Sequence, residues 1–434
     1  MALTGRAAAA AAVGAVIVLA FRTLAAVLAV DALILAAIAA DLILAAPVRG
    51  LRLTRSGDAR IRLGATGAVV LCVANPGRRR LRAVVRDAWP PSAGARPTRA
   101  RVSVPAGGQA TLTTTLAPQR RGDCVPGRVT VRSLGPLRLA GRQAGQQAAW
   151  PVRVLPPFGS RRHLPEKLAR LRQLDGQHRS LIRGQGSEFD SLREYVAGDD
   201  VRSIDWRSSA RRADVLVRTW RPERDRRILI VLDTGRTGAG LVAGVAGRVP
   251  RLDASIDAAL LLTALATRAG DRVDLVAIDR RVRARVLGAG RAGALSAVTE
   301  AVAGLQAELI ESDAGLMAAT VLGIARQRSL VVLLTDLNPA AIEEGLLPRI
   351  PVLAARHRLL LAAVADPRLD AMAVARGDVA AVYDAAAAER ARSERAAISA
   401  RLRRRGVEVV DGPPDRLPAA LADAYLNLKA AGRL

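Results

Sequence analysis

The sequence predicts a multidomain protein. A two-helix membrane hairpin (1–47) precedes an Ig-like β-sandwich (48–157), and a connecting segment (158–226) leads to a doubly wound α/β domain (227–434). Three observations predict this order. The N-terminus carries two long apolar runs, the next region carries short β-branched runs between Gly and Pro turns, and the remainder alternates apolar strands with helices.

The apolar runs at the N-terminus predict two membrane-spanning helices. They cover residues 7–21 and 24–46, are separated by Arg22 and Thr23, and end before Pro47. The first run is short against the ~20 residues that a hydrocarbon core of ~30 Å requires. A signal peptide is the alternative for this run, but no small-residue cleavage site precedes a polar mature start.

Basic residues beside the apolar runs predict the orientation of the hairpin. Arg6 precedes the first run, and Arg49, Arg52 and Arg55 follow the second. Basic residues that flank membrane spans are retained in the cytoplasm. We therefore expect a multi-pass protein of the cytoplasmic (inner) membrane, with its soluble domains in the cytoplasm.

Two acidic residues, Asp31 and Asp41, interrupt the second run. A carboxylate within the bilayer is costly unless it faces another helix or is protonated. We therefore expect both at the helix interface or near a membrane surface, with a proton path as the alternative.

The net charge of +27 raises the question of a nucleic-acid partner. The arginines are scattered, their densest runs are short (78–80 and 403–405), and no aromatic-laced basic patch accompanies them. Anionic lipid is an equally good counter-charge. We therefore expect the lipid bilayer as a partner and no nucleic acid.

Residues 48–157 carry the pattern of a β-sandwich. β-rich runs at 68–73, 101–104 and 111–115 are separated by turn signals at 75–77 and 105–108. A helix over 164–175 then begins the connecting segment.

From residue 227 onward, strands alternate with helices. The predicted strands cover 227–233, 272–279, 330–335 and 359–364, and the predicted helices cover 251–269, 292–307, 313–327, 339–348, 380–404 and 415–430. Parallel strands joined by helices form a doubly wound sheet that binds ligands at the carboxyl ends of its strands. Asp233 and Asp336 lie at two such ends.

Residues 184–211, the signature segment, concentrate charged and aromatic side chains. The segment either binds a partner or braces itself through internal salt bridges, because charge clusters serve both purposes. The residues predicted to carry this role are Glu188, Phe189, Arg193, Tyr195, Asp199, Asp200, Arg202, Asp205, Trp206 and Arg211.

The motifs of this segment run G-x-G-x-E-F, R-E-Y, G-D-D-x-R-x-I-D-W and A-R, and a strand ending in Asp233 follows. In this pattern the chain resembles the bacterial domain-of-unknown-function 58 family, and the likeness extends to residues 135–137 and 425–429. The resemblance implies a MoxR-type AAA+ ATPase as partner.

The order of elements after residue 227 also resembles a von Willebrand factor A domain, whose metal site begins D-x-S-x-S. Here the motif has Asp233 and Thr237, but Gly235 replaces the first hydroxyl. By position, Ser312 and Asp336 complete the set, and Mg²⁺ is the cofactor that such oxygen ligands suit. The missing hydroxyl favours the other interpretation, a degenerate site that is metal-free or weak and whose two aspartates cap adjoining turns and helices.

Catalytic motifs are absent from the sequence: it has no P-loop, no H-E-x-x-H and no G-x-S-x-G. We therefore predict a non-enzymatic, membrane-anchored adaptor or scaffold for complex assembly, stress response or envelope maintenance. The alternative is a metal-dependent hydrolase of phosphorylated or lipid-linked substrates. In it, Asp233 and Asp336 hold Mg²⁺ while Arg193 and Arg202 bind phosphate.

Overall fold

The computed structural model describes residues 1–181, 188–197, 199–212, 214–221, 226–245, 247–290 and 292–433. The chain divides into two compact units, Met1–Pro157 and Phe158–Leu434. It is a multidomain protein with apolar helices at its N-terminus and mixed sheets after them.

The N-terminal helices follow a short strand, β1 (Ala2–Leu3), and are α1 (Gly5–Phe21) and α2 (Leu24–Leu44). Thr23 caps the start of α2, and its side chain accepts a hydrogen bond from the backbone N–H of Ala26 at 3.2 Å. Among the described helices, α2 alone is long and apolar enough to cross a membrane, with a mean hydropathy of 2.5 over 21 residues. With 17 residues, α1 is shorter.

The first unit contains three sheets with the strand orders β1-β10-β9-β5-β6, β2-β4-β7 and β3-β11-β8. A 3-10 turn, Pro91–Ala93, lies between two of the strands. The further strands are β2 (Arg52–Gly57), β3 (Arg60–Arg62), β4 (Gly67–Ala74), β5 (Leu81–Arg86), β6 (Arg99–Val104), β7 (Gln109–Leu116), β8 (Gly122–Cys124), β9 (Val129–Leu134), β10 (Ala140–Gln146) and β11 (Val152–Leu155).

Asp41, near the end of α2, is fully buried against the turn between β9 and β10. Its carboxylate accepts backbone N–H hydrogen bonds from Leu137 (2.8 Å), Leu139 (2.5 Å) and Ala140 (3.1 Å). A Cβ on Gly135 would lie 2.3 Å from Asp41 Oδ1, so only glycine permits this approach. Asp41 thus fastens α2 to the sheet instead of facing the neighbouring helix.

The start of the hairpin is held by the same sheet. Ala2 and Leu3 pair antiparallel with β10, opposite Gly141 and Ala140. Inside the hairpin, a Cβ on Gly14 would lie 2.6 Å from a methyl group of Val30, so the glycine allows a close helix crossing. Both ends of the hairpin are therefore attached to one sheet.

A buried ion pair lies in the first unit. Arg55 Nη2 lies 2.6 Å from Asp87 Oδ1, and the two side chains are 0% and 4% exposed. Trp89 Nε1 and Thr114 Oγ1 donate to the other oxygen of Asp87, at 3.0 and 3.1 Å. Arg55 also donates to the backbone carbonyl of Ala148. Arg55, expected beside the membrane, is instead part of the interior of the first unit.

The second unit is built on a six-stranded sheet of order β18-β17-β14-β19-β20-β21, in which β18 alone is antiparallel to its neighbour. A 3-10 turn, Gly159–His163, opens the unit, and another, Val201–Ser203, lies in the signature segment. The strands are β12 (Glu188–Glu194), β13 (Leu216–Arg221), β14 (Arg227–Asp233), β15 (Leu241–Gly244), β16 (Gly247–Pro250), β17 (Arg272–Ile278), β18 (Val282–Val286), β19 (Leu330–Leu334), β20 (Arg358–Val364) and β21 (Glu408–Gly412).

Helices cover both faces of this sheet, because alternate residues of β14 enter two different cores. Ile228 and Ile230 pack with α3, α6, α7 and α12, and Leu229 and Val231 pack with α8, α9 and α11. The helices are α3 (Leu164–Leu181), α4 (Trp206–Arg212), α5 (Arg236–Ala239), α6 (Arg251–Arg268), α7 (Ala294–Ala303), α8 (Ala314–Ile324), α9 (Ile350–Arg356), α10 (Pro367–Val374), α11 (Val379–Arg404) and α12 (Leu417–Ala430).

The helix expected over 339–348 differs in the structure. A π-helical segment, Ala341–Leu346, is followed by the separate helix α9. Pro348 lies between them, and proline removes a backbone donor and clashes inside a helix. Pro351 then lies in the first turn of α9, where the missing N–H costs nothing.

Ion pairs fasten the C-terminal helix α12 to the rest of the second unit. The hydroxyl of Tyr425, which is fully buried, donates to Asp271 at 2.5 Å, and Lys429 Nζ lies 2.9 Å from the same carboxylate. Asp423, two residues before Tyr425 in α12, pairs with Lys167 of α3 at 2.9 Å. The predicted connecting helix is therefore packed into the α/β core.

We expect Asp87→Asn to destabilise the chain by about 3–5 kcal/mol, because it leaves the Arg55 guanidinium buried without its counter-charge. Urea unfolding of the detergent-solubilised protein, followed by Trp fluorescence, measures the change. The matched control is Asp123→Asn, which breaks the exposed pair with Arg153 and should cost about 0–1 kcal/mol. Equal losses in both variants would contradict a structural role for the buried pair.

Stability should also fall as the pH drops below the ordinary histidine pKa of 6.5. Burial, helped by the charge of Arg356, lowers the pKa of His357, and within the described residues neither ring nitrogen has a hydrogen-bond partner. The unfolded chain therefore takes up a proton that the folded chain resists, at a cost of at most about 1.4 kcal/mol per pH unit. Urea unfolding at pH 7 and pH 5 should show a smaller pH effect in His357→Leu than in the parent protein, and an equal effect in the two proteins would contradict this role of His357.

Candidate functional site

Two carboxylates, Asp233 and Asp336, lie at the carboxyl edge of the six-stranded sheet. Asp233 ends β14, and Asp336 follows β19, the parallel neighbour of β14. Each residue is 7% exposed. A cavity of about 10 Å³, close to the size of one water molecule, lies between them. Its polar lining consists of Asp233, Thr237, Arg251, Ser255, Thr335 and Asp336.

Asp233 is the centre of a hydrogen-bond network. Its Oδ1 accepts from the Gly235 backbone N–H (2.9 Å) and from the hydroxyl of Ser312. Its Oδ2 accepts from the hydroxyls of Thr237 (3.0 Å) and Thr335 (2.6 Å). An ionised carboxylate has about four lone-pair sites. All of them are therefore matched by donors of the protein itself.

Ser312 occupies the space that a side chain at position 235 would need. A Cβ on Gly235 would lie 2.2 Å from Ser312 Oγ and 2.8 Å from the carbonyl oxygen of Ile310. The hydroxyl missing from the D-x-S-x-S pattern is thus supplied by a different loop.

Asp336 is held by two arginines. Its Oδ2 accepts from Arg251 Nη1 at 2.7 Å, and its Oδ1 accepts from Arg395 Nη1 at 2.6 Å. Arg395 also forms two hydrogen bonds to Asp411, at 2.7 and 2.8 Å. Burial alone would lower the pKa of Arg395, but the hydrogen bonds and charges of Asp411 and Asp336 outweigh it and raise that pKa. Arg395 therefore stays charged at any physiological pH.

These donors do not fit a divalent cation. The Asp233 carboxylate is saturated by protein donors, and both oxygens of Asp336 bind guanidinium groups, which repel a metal ion. Thr237 and Ser312 use their hydroxyl protons on Asp233. Within the described part of the chain, no group of three or more His, Cys, Asp or Glu residues could hold a metal ion.

The signature segment forms a second candidate site, built on the antiparallel pair β12–β13 with α4 beside it. Asp199 accepts hydrogen bonds from Arg193 (2.5 Å) and from the backbone N–H of Val196 (3.0 Å), which lower its pKa. The neighbouring Asp200 caps the 3-10 turn by accepting from the backbone N–H of Arg202 at 3.0 Å. The paired carboxylates therefore have different local partners.

Asp205 braces the start of α4. Its carboxylate accepts from the backbone N–H of Ser208 (3.0 Å) and from Arg218 (2.8 Å), and both bonds lower its pKa. Ser209 links α4 to β13, because its hydroxyl accepts the backbone N–H of Leu216 at 2.8 Å. The carboxylates of Asp199, Asp200 and Asp205 are therefore used in local structure.

Several apolar side chains of the segment are, by contrast, exposed to solvent. Trp206 is 64% exposed, Val196 61%, Val201 60% and Tyr195 37%. Arg202 and Arg211 are exposed as well, whereas the side chains of Glu188 and Phe189 lie outside the described part of the structure. Large aromatic side chains that remain in water are typical of interaction surfaces.

Three residues of the first site were not anticipated from the sequence: Thr335, Arg251 and Arg395. Thr335 directly precedes Asp336, and a hydroxyl at the end of a buried strand was a signal that could have been used. The arginines carry no such signal. They are two among many, and only packing brings them to Asp336.

Comparison with known proteins links the second unit to a family. The family model described as "Protein of unknown function DUF58" matches residues 191–409. Uncharacterized protein Rv1480 of Mycobacterium tuberculosis and uncharacterized protein Mb1516 of Mycobacterium bovis are each 30% identical over 205 residues. The match covers 45% of this chain and 60% of those relatives, so the chain spans less than two thirds of their length.

Solved structures give only distant similarity. The CARDB domain of PF1109 from Pyrococcus furiosus is 16% identical, with a TM-score of 0.17, over 24% of this chain and 86% of that domain. A β-glucosidase from Listeria innocua in complex with glucose is 18% identical, with a TM-score of 0.16, over 24% of this chain and 16% of the enzyme. Scores this low carry no argument about fold or function.

We expect Gly235→Ala to destabilise the chain by about 1–3 kcal/mol, because the new methyl group displaces Ser312 and presses on the carbonyl of Ile310. Urea unfolding measures the loss, and Gly304→Ala, a substitution into open space, should stay within about 0.5 kcal/mol of the parent. Combining Gly235→Ala with Ser312→Gly should give a loss smaller than the sum of the single losses. A strictly additive result would mean that the two positions are independent.

Proposed function

The chain belongs to the protein family of unknown function DUF58, and from this premise we propose that it is a membrane-anchored, non-enzymatic adaptor or scaffold. Its partner in this proposal is a MoxR-type AAA+ ATPase, in complex assembly, stress response or envelope maintenance. The observation that carries the proposal is the exposed apolar surface of the signature segment, centred on Trp206.

The anchor in this proposal is the hairpin of α1 and α2, crossing the cytoplasmic membrane twice. Three features support it: the length and hydropathy of α2, the attachment of both hairpin ends to one sheet, and the basic residues Arg6, Arg49 and Arg52 beside the spans. Both soluble units then lie in the cytoplasm, where an ATPase is available.

The soluble part combines an Ig-like β-sandwich with a von Willebrand factor A-like domain. The sheets of the first unit, antiparallel except for the pair β3–β11, and their apolar core support the former. The parallel sheet with helices on both faces, and the Asp233 to Thr237 motif after β14, support the latter. Domains of both kinds present rigid surfaces from which a recognition segment can project.

The signature segment suits a docking role because three of its carboxylates already have hydrogen-bond partners. Asp199, Asp200 and Asp205 bind donors of the segment itself, so the local backbone is set before a partner arrives. Trp206 and Val201 remain exposed on this braced frame. A preorganised aromatic anchor binds without a large ordering cost.

The hydrolase alternative gains no support from the first site. A metal-dependent hydrolase needs carboxylate oxygens that are open to the ion. Those of Asp233 and Asp336 are occupied by Ser312, Thr335 and two arginines.

Affinity purification of the detergent-solubilised protein in the presence of ATP, followed by mass spectrometry, tests the adaptor role. We expect recovery of a AAA+ ATPase, and we expect Trp206→Ala to reduce it roughly tenfold or more, as loss of an interface anchor does. Tyr383→Ala, which removes another exposed aromatic side chain, is the matched control and should leave recovery unchanged. If no ATPase is recovered, or if both variants lose it equally, the proposed docking role of the segment is wrong.

A further inference from the structure

We propose that Arg251 and Arg395 take the place of a metal ion at the carboxyl edge of the sheet. The two guanidinium groups then hold the network around Asp233 and Asp336 together without a divalent cation. The proposal concerns the α/β domain alone and does not depend on the adaptor role.

The contacts around Asp336 support this exchange of a metal ion for two arginines. Arg251 and Arg395 bind different oxygens of its carboxylate, at 2.7 and 2.6 Å. Arg251 opens α6, which packs on one face of the sheet, and Arg395 belongs to α11, which packs on the other. Asp336 is thus clamped from both faces, at the position where the resemblance to a von Willebrand factor A domain implies the last carboxylate of a metal site.

Both arginines are built into their positions. A Cβ on Gly240 would lie 3.3 Å from Arg251 Nη1, so the glycine leaves room for the guanidinium. Arg251 Nε is buried and has no hydrogen-bond partner among the described residues, whereas Nη1 of the same guanidinium donates to Asp336 at 2.7 Å. Arg395 is fixed further by its two hydrogen bonds to Asp411. Surface arginines in chance contacts are not restrained in this way.

The net charge of the cluster also disfavours a divalent cation. Asp233, Asp336 and Asp411 contribute three negative charges, and Arg251 and Arg395 contribute two positive ones, which leaves −1 for the cluster. A divalent ion placed there would meet two guanidinium groups at short range. Without the arginines the same carboxylates would carry −3, a charge that favours a divalent cation with oxygen ligands.

Binding of Mn²⁺ to the full detergent-solubilised chain tests this proposal, with the electron paramagnetic resonance of free Mn²⁺ as the readout. The parent protein should bind no Mn²⁺ at this site, and EDTA should not lower its unfolding temperature. Arg251→Met combined with Arg395→Met should bind one Mn²⁺ at least roughly tenfold more tightly than any Mn²⁺ binding measured for the parent protein, because like-charge repulsion is removed. Adding Asp336→Asn to that pair should abolish the gain, because it removes the carboxylate that the two arginines bind in the parent protein.

Arg236→Met is the matched control. Arg236 lies beside the site on α5 but pairs with the exposed Glu311 at 2.9 Å, so the substitution removes a nearby positive charge without opening Asp336. It should not create Mn²⁺ binding.

Two results would overturn the proposal. One is Mn²⁺ binding by the parent protein that Asp233→Asn abolishes. The other is a folded arginine variant that gains no more Mn²⁺ binding than Arg236→Met. If the double variant does not fold, Arg251→Met alone and the parent protein still give these outcomes. Neither result bears on recovery of an ATPase, so the adaptor role stands or fails separately.

Discussion

Buried carboxylates impose the constraint on which much of this structure depends. The core consists almost entirely of Ala, Val, Leu and Ile, and an ionised group inside it is tolerated only when its oxygens are matched by donors. Asp41 accepts hydrogen bonds from backbone N–H groups. Asp87 forms an ion pair with Arg55, and Asp336 forms ion pairs with two arginines. Because the donors come from distant parts of the chain, each carboxylate adds directional bonds between separate elements to their apolar packing.

The same constraint separates the two candidate sites. At the carboxyl edge of the sheet, Asp233 is saturated by four donors and each oxygen of Asp336 binds an arginine, so the edge is a polar network with a cavity about the size of a water molecule. In the signature segment, saturation of Asp199 and Asp205 has the opposite consequence. The carboxylates stabilise the segment, and its unmatched apolar side chains, Trp206 above all, remain on the surface.

Much of the fold followed from local pattern. Thr23 marks the break between the first two helices, and the apolar runs at 227–233, 330–335 and 359–364 correspond to β14, β19 and β20. Short or weakly apolar elements were not predicted from the sequence. The β15–β16 pair and β21 alternate too briefly for periodicity to separate them from loops. The π-helical segment depends on how Ile342 and Leu346 pack, which no local pattern records.

The sequence by itself determined which residues end the buried strands, and so it placed Asp233 and Asp336 at one edge of a sheet. It also placed the hydroxyl of Thr237 near Asp233, because both residues belong to the motif at the end of β14. Only the tertiary structure decided what surrounds these groups. Thr335 meets Asp233 across 102 residues of chain, and Arg395 reaches Asp336 from a helix on one face of the sheet. Such partners are chosen by the packing of whole elements, which brings a particular arginine to a carboxylate among the many that the sequence offers.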